Sequence, residues 1–181
     1  MKIFVEGGSD RVFLELYIKS LKLINYEIIV VGEEDKKGGK DNIVHTKEIE
    51  EIEDKFLVIF DGDNDLKKAK NNIEQQINKI NPNAQYEIFL FPNNKDSGNL
   101  ETLYAKIATN TKFIECFEKY KTCIGKELSD KSKIYAYLEA CGLVTDYKKI
   151  KSNDIEKAFN LKDNYIKPLK KFLLNNLGNS Q

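Results

Sequence analysis

The 181-residue chain has one histidine, one arginine and three cysteines, and its 29 basic residues balance 29 acidic ones. Each scarcity removes a class of chemistry. His45 lies in a polar, charged stretch, so a Ser-His-Asp or Cys-His mechanism would have to use it with no activated nucleophile beside it. Cys116, Cys123 and Cys141 have no CxxC spacing and an odd count, which fits reduced thiols and argues against a zinc site. With a formal net charge of zero, any nucleic-acid partner must be held by a local basic patch and not by a general positive field. Arg11 is the single arginine, although phosphate clamps favour that residue. There is no GxxxxGK[ST] loop, no internal repeat and no low-complexity linker. The opening MKIFVEGG contains no apolar run long enough for a signal peptide or a membrane span, so a cytoplasmic protein without a membrane partner is expected.

What is present reads as an α/β protein. Apolar residues at 41% and charged residues at 32% suit a well-solvated globular chain, long enough to bury a core without disulfides or a structural metal. Apolar runs at 2–5, 26–32, 56–60 and 86–91 are continuous, not alternating, which is the pattern of strands buried on both faces. Between them, helical spacing runs over 10–22 with Ser9 as N-cap, over 43–52, and from Leu66 to Ile80. The order β-α-β-α-β-α-β predicts a four-stranded parallel sheet flanked by helices. After Pro92 the segments GNLETLYAKIA, TKFIECFEKY, KSKIYAYLEAC and IKPLKKFLLNNL are helical in spacing or caps, with Pro168 in a first turn. The expected division is an α/β core over 1–95 and a helical extension over 96–181, packed together as one folding unit.

Two acidic clusters follow strands. Glu6 comes directly after the first, in FVEGGSD, and Asp61, Asp63 and Asp65 come directly after the third, in FDGDND. Ligands of open parallel sheets bind outside the carboxyl ends of the strands. If the two strands are neighbours, these carboxylates face one another, an arrangement tolerable chiefly when a divalent cation neutralises it. An oxygen-only donor set selects hard ions, magnesium or manganese. Gly7 and Gly8 let the backbone turn and leave room for a metal or phosphate, while Ser9 and Asp10 open a helix whose positive end faces the same place.

Bland alternatives stand beside these roles. Asp10 is also a favourable first-turn acid, and Asp65 also suits the N-cap of the Leu66 helix. Glu101, in a first turn starting near Gly98 or Asn99, either complements that helix's dipole or adds a metal-site carboxylate; Asp96 shares its loop. Lys40 follows two glycines at the end of the second strand, where it could hold a phosphate or simply be solvated. The same choice applies to Lys148, Lys149, Lys151, Lys170 and Lys171. A calcium loop is excluded, because counting from Asp61 puts Leu66 and Asn72 where an EF-hand needs Gly and Glu. A haloacid-dehalogenase-type phosphatase also places an aspartate pair after an apolar strand, but here the usual Thr and the later acidic pair are missing.

FVEGGSDRVFL and VIFDGDND, a βαβ length apart, resemble the TOPRIM domain shared by topoisomerases, bacterial primases, ribosomal RNA maturation nucleases and OLD-type nucleases. The resemblance implies a Rossmann-like TOPRIM core with a C-terminal helical extension. It makes Glu6 the general acid/base and Asp61 and Asp63 the magnesium ligands, all three catalytic. The Glu6–Asp10 spacing is most similar to the OLD-type branch, where a second metal is used and an acidic residue follows the fourth strand, as Glu101 does here. FLFPNNKDSGNLETLY and NYIKPLKKFLL also resemble a group of small, stand-alone TOPRIM-related proteins.

The reaction implied is phosphoryl transfer with one or two magnesium or manganese ions, most simply a nuclease acting on DNA or RNA. Metal ligands would come from Glu6, Asp10, Asp61, Asp63, Asp65 and Glu101; Gly7, Gly8, Ser9 and Lys40 would meet phosphate. A topoisomerase needs an attacking tyrosine on a separate domain, and a primase needs a further zinc-binding or helicase-contacting region. OLD nucleases carry an ATPase domain, so here an ATPase would be a separate partner. The alternative from another class is a non-catalytic module that uses the same acidic edge to bind a nucleotide, a nucleic-acid end or a partner.

Overall fold

A computed structural model describes residues 1–32, 40–143 and 151–178. Four strands, β1 (Lys2–Val5), β2 (Glu27–Val30), β3 (Phe56–Asp61) and β4 (Tyr86–Phe91), form a sheet in the order β2-β1-β3-β4, all neighbours parallel. Helix α1 (Gly8–Ser20) connects β1 to β2, and α3 (Leu66–Ile80) connects β3 to β4. A 3-10 helix (Lys40–His45) and a short α2 (Lys47–Glu50) precede β3. Then follow α4 (Leu100–Ile107), α5 (Thr111–Ile124), α6 (Asp130–Ala140), α7 (Ser152–Ala158), a 3-10 turn (Asn164–Ile166) and α8 (Lys167–Leu177). This is an α/β, Rossmann-like architecture with a C-terminal helical part.

The topology follows from two rules. Parallel neighbours need a crossover, and crossovers are right-handed. Because β2 lies on one side of β1 while β3 and β4 lie on the other, the connecting helices α1 and α3 fall on opposite faces. Side-chain parity along the strands agrees. Ile3, Val5, Leu57, Ile59, Phe89 and Phe91 join a core with α1, α4, α6 and α8. Phe4, Val58, Phe60 and Leu90 join a second core under α2 and α3. Aromatic contacts carry the first core from the sheet into the C-terminal helices, with Phe13 edge-on to Tyr104 at 5.3 Å and Tyr104 stacked on Phe159 at 4.3 Å.

Several local expectations are corrected. Gly7, not Ser9, is the N-cap of α1, and the helix begins at Gly8, because Asp10 reaches back to the Gly7 N–H and fixes the turn two residues earlier. The expected helix over 43–52 is instead the 3-10 helix followed by four residues of α2. Helix α7 escapes periodicity, since Ile155 and Ala158 are the only apolar residues among its seven. Residues 33–39, the side chain of Lys40, and Lys148 and Lys149 lie outside the described residues. Among the described residues, no helix is long and apolar enough to cross a membrane.

Candidate functional site

The strand order reverses between β1 and β3, the position where open α/β sheets bind ligands. Val5 pairs with Ile59, so Glu6 leaves β1 beside the carboxyl end of β3, where Asp61 is the last residue. Asp61 keeps the parity of Leu57 and Ile59, which turns its side chain toward the α1 and α4 face. There Oδ1 accepts the Leu100 N–H at 3.0 Å, tying the start of α4 to β3. Asn99 caps α4 by accepting the Thr102 N–H at 2.9 Å, and Glu101 in the first turn is only 4% exposed. On the α1 side, Asp10 is 6% exposed and its Oδ2 accepts the Gly7 N–H at 2.8 Å.

These residues line one cleft of about 250 Å³: the carboxylates of Glu6, Asp10, Asp61 and Glu101, with Gly7 and Ser9 on the α1 side and Lys131 from the first turn of α6. Crowding shows in the proton affinities. The Asp61 carboxyl is pushed up to about 7, by burial first and then by the charges of Glu6 and Glu101, against the Leu100 N–H and Lys131. Asp10 is held well above its ordinary value by burial, then by Asp61 and Glu6. Burial also raises Glu101, and Lys131 opposes that rise. Larger grooves open elsewhere, one of about 730 Å³ between α1 and β2 and one of about 630 Å³ at the amino ends of the strands, but neither gathers the strand-end acids.

Other expected residues go elsewhere. The chain leaves β3 at Gly62, whose N–H donates to Phe91 O at 3.0 Å; a Cβ there would sit 2.6 Å from that oxygen. Asp63 follows at φ 48° and accepts the Gly98 N–H on its backbone oxygen at 2.7 Å, so it is not among the residues lining the cleft. Asp65 N-caps α3, accepting from Lys67 N at 3.0 Å and Lys68 N at 3.1 Å. Asp96 accepts from Asn93 of its own loop at 2.9 Å and from the hydroxyl of Tyr165, in the distant Asn164–Ile166 turn, at 2.8 Å. Gly8 is the first residue of α1, and Lys40 begins the 3-10 helix.

Lys131 is the cleft residue that sequence reasoning missed. One signal could have found it: a lysine in a helix's first turn opposes the helix dipole, so its position asks for an acidic neighbour in space.

The donor set suits a hard divalent cation in kind, with four carboxylates and no His or Cys. Among the described residues no three Asp, Glu, His or Cys side chains already converge on one ion position, so the carboxylates would have to rotate inward to share one. No curated protein and no solved structure matches the chain. Residues 1–175 match the family described as "Protein of unknown function (DUF3226)", and the chain belongs to that family.

Proposed function

We propose that this protein is a magnesium- or manganese-dependent nuclease of TOPRIM type, cleaving DNA or RNA phosphodiesters at the Glu6, Asp10, Asp61 and Glu101 cleft. One observation carries the reading: Glu6 after β1 and Asp61 at the end of β3, the residues on which the TOPRIM resemblance rests, line one cleft at the switch point of the sheet. A bound divalent ion there would polarise the phosphodiester and lower the pKa of a water molecule. Asp61, oriented by the Leu100 N–H, would hold such an ion with Asp10 and Glu101. Glu6 would accept the proton of the attacking water or deliver one to the leaving oxygen. Ser9 and the amino end of α1 would meet phosphate oxygens. Asp63, a ligand on the resemblance, would join only if the turn bridging it to Gly98 shifted. The reading brings with it a cytoplasmic setting, a nucleic-acid partner and, on the OLD-type likeness, an ATPase on a separate chain.

The test is a cleavage panel of single-stranded DNA, duplex DNA and RNA with magnesium, manganese or chelator. Asp61→Asn and Glu6→Gln should each lower cleavage by at least about 100-fold. Cleavage that persists in chelator or in both variants would overturn the assignment. The balance of 29 basic and 29 acidic residues, with one arginine, favours a second reading, a non-catalytic metal-dependent binding module. Metal-dependent oligonucleotide binding by a parent protein that cleaves nothing would select it.

A further inference from the structure

We infer that Lys162, Lys167, Lys170 and Lys171, with Lys95 beside them, hold the sugar-phosphate backbone of a nucleic acid next to the cleft; this rests on the nucleic-acid reading above. The chain has zero net charge, yet from Ala158 to its end it carries four lysines and one acid, Asp163. A neutral protein holds a polyanion where its cations collect, and they collect here.

Nothing in the fold uses these charges. All five lysines are exposed, and none forms an ion pair among the described residues. By contrast, Lys121 and Lys133 are held by Glu118, Glu127 and Asp130. Two acids of the region bond to Tyr165 instead: Asp163 accepts its N–H and Asp96 its hydroxyl, each at 2.8 Å. Nor do the lysines serve their helix. The first turn of α8 has no acid and no side-chain cap, and cations at that end oppose its dipole.

Position links the lysines to the cleft. Tyr165 ties the turn before α8 to Asp96, in the loop after β4. Near the other end of α8, Asn176 donates to Glu87 at the start of β4 at 3.2 Å. Helix α8 therefore runs antiparallel to β4 and begins at the carboxyl edge of the sheet, where the cleft lies. The loop that carries Lys95 and Asp96 leads into α4, whose Leu100 N–H bonds to Asp61. Leu169, Leu173 and Leu177 bury one side of α8, leaving Lys167, Lys170 and Lys171 exposed within about 6 Å of helix rise. Of the exposed large apolar side chains among the described residues, only Leu174 adjoins them in α8. A protein interface would need apolar or aromatic anchors, whereas a phosphate backbone needs cations alone.

The experiment is fluorescence anisotropy of a labelled single-stranded oligonucleotide, as DNA and as RNA. It is titrated with the full chain across a salt series in chelator, where metal-dependent cleavage is silent. The combined variant Lys167→Gln, Lys170→Gln, Lys171→Gln, at exposed positions and checked by circular dichroism, should weaken binding at least about tenfold. It should also lower the slope of log affinity against log salt by about 2, at about 0.7 per phosphate contact on a single strand. Lys112→Gln with Lys119→Gln, on α5 and also exposed without an ion pair among the described residues, should change neither. Binding by the parent that the α8 variant keeps in full, or that the α5 variant loses equally, would overturn the patch and leave the cleavage reading to its own test. Polyglutamate bound more tightly than the oligonucleotide would overturn it in favour of an acidic protein partner. No binding by the parent at low salt would remove the nucleic-acid reading and this inference together.

Discussion

Asp61 is both the last residue of a buried strand and the acceptor for the first turn of α4, and these two attachments hold its carboxyl among other acids. In an unfolded chain it would ionise near 3.8, whereas in the fold it does so at about 7. Between those values the folded protein keeps a proton that the unfolded chain has lost. The associated stability is complete at low pH and disappears as pH rises through that window. Asp10 shifts in the same direction. In chelator, urea melts should therefore show unfolding free energy falling from about pH 5 to about pH 7.5, by at most ~1.4 kcal/mol per pH unit per proton. Asp61→Asn should flatten that slope, and added magnesium should reverse it. An unchanged slope in Asp61→Asn would show that the carboxyl is not under this load. At this scale Glu6 and Asp61 were legible because strand ends are. Asp63 was not, because a turn at positive φ after Gly62 decides where it goes.

At the scale of elements, α3 separates capping from chemistry. Asp65 satisfies two orphan N–H groups at its start, those of Lys67 and Lys68. Asp65→Ala should lower the melting temperature by about 2–4 °C and leave manganese affinity unchanged. A folded variant that no longer bound manganese would return Asp65 to the metal site. Caps and stops were readable where one residue type does the work, as with Pro168 at the start of α8 and Asn99 ahead of α4. The α1 cap was misread because the side chain that fixes it, Asp10, lies three residues downstream of the cap. The 3-10 helix and α2 were merged because helical spacing over so few residues does not separate 3-10 from α geometry.

For the whole molecule, the helices after β4 share a core with the sheet. Leu173 and Leu177 of α8 belong to the cluster that contains Ile3, Val5 and Ile59, and Phe172 packs at 5.4 Å from Phe89. Polar contacts add to this at the sheet's amino end, where Lys55 pairs with Glu87 and donates to Asn176 at 2.9 Å. Leu173→Ala should cost about 2–5 kcal/mol and shift one cooperative transition, seen together by far-ultraviolet circular dichroism and tyrosine fluorescence. Two separated transitions would mean that the helical part unfolds by itself.

The sequence by itself determined the four parallel strands, the helices on both faces and the acids at the carboxyl ends of β1 and β3, because burial on two faces demands continuous apolar runs and strand ends are where polar residues resume. Tertiary structure alone decided which acids share a cleft. That choice depends on strand order, on the parity that turns Asp61 toward α4, on the collision that a side chain at position 62 would make with Phe91 O, and on α6 bringing Lys131 across from a segment 70 residues past Asp61. None of these is a local property of the chain, and each follows from packing between segments far apart in sequence.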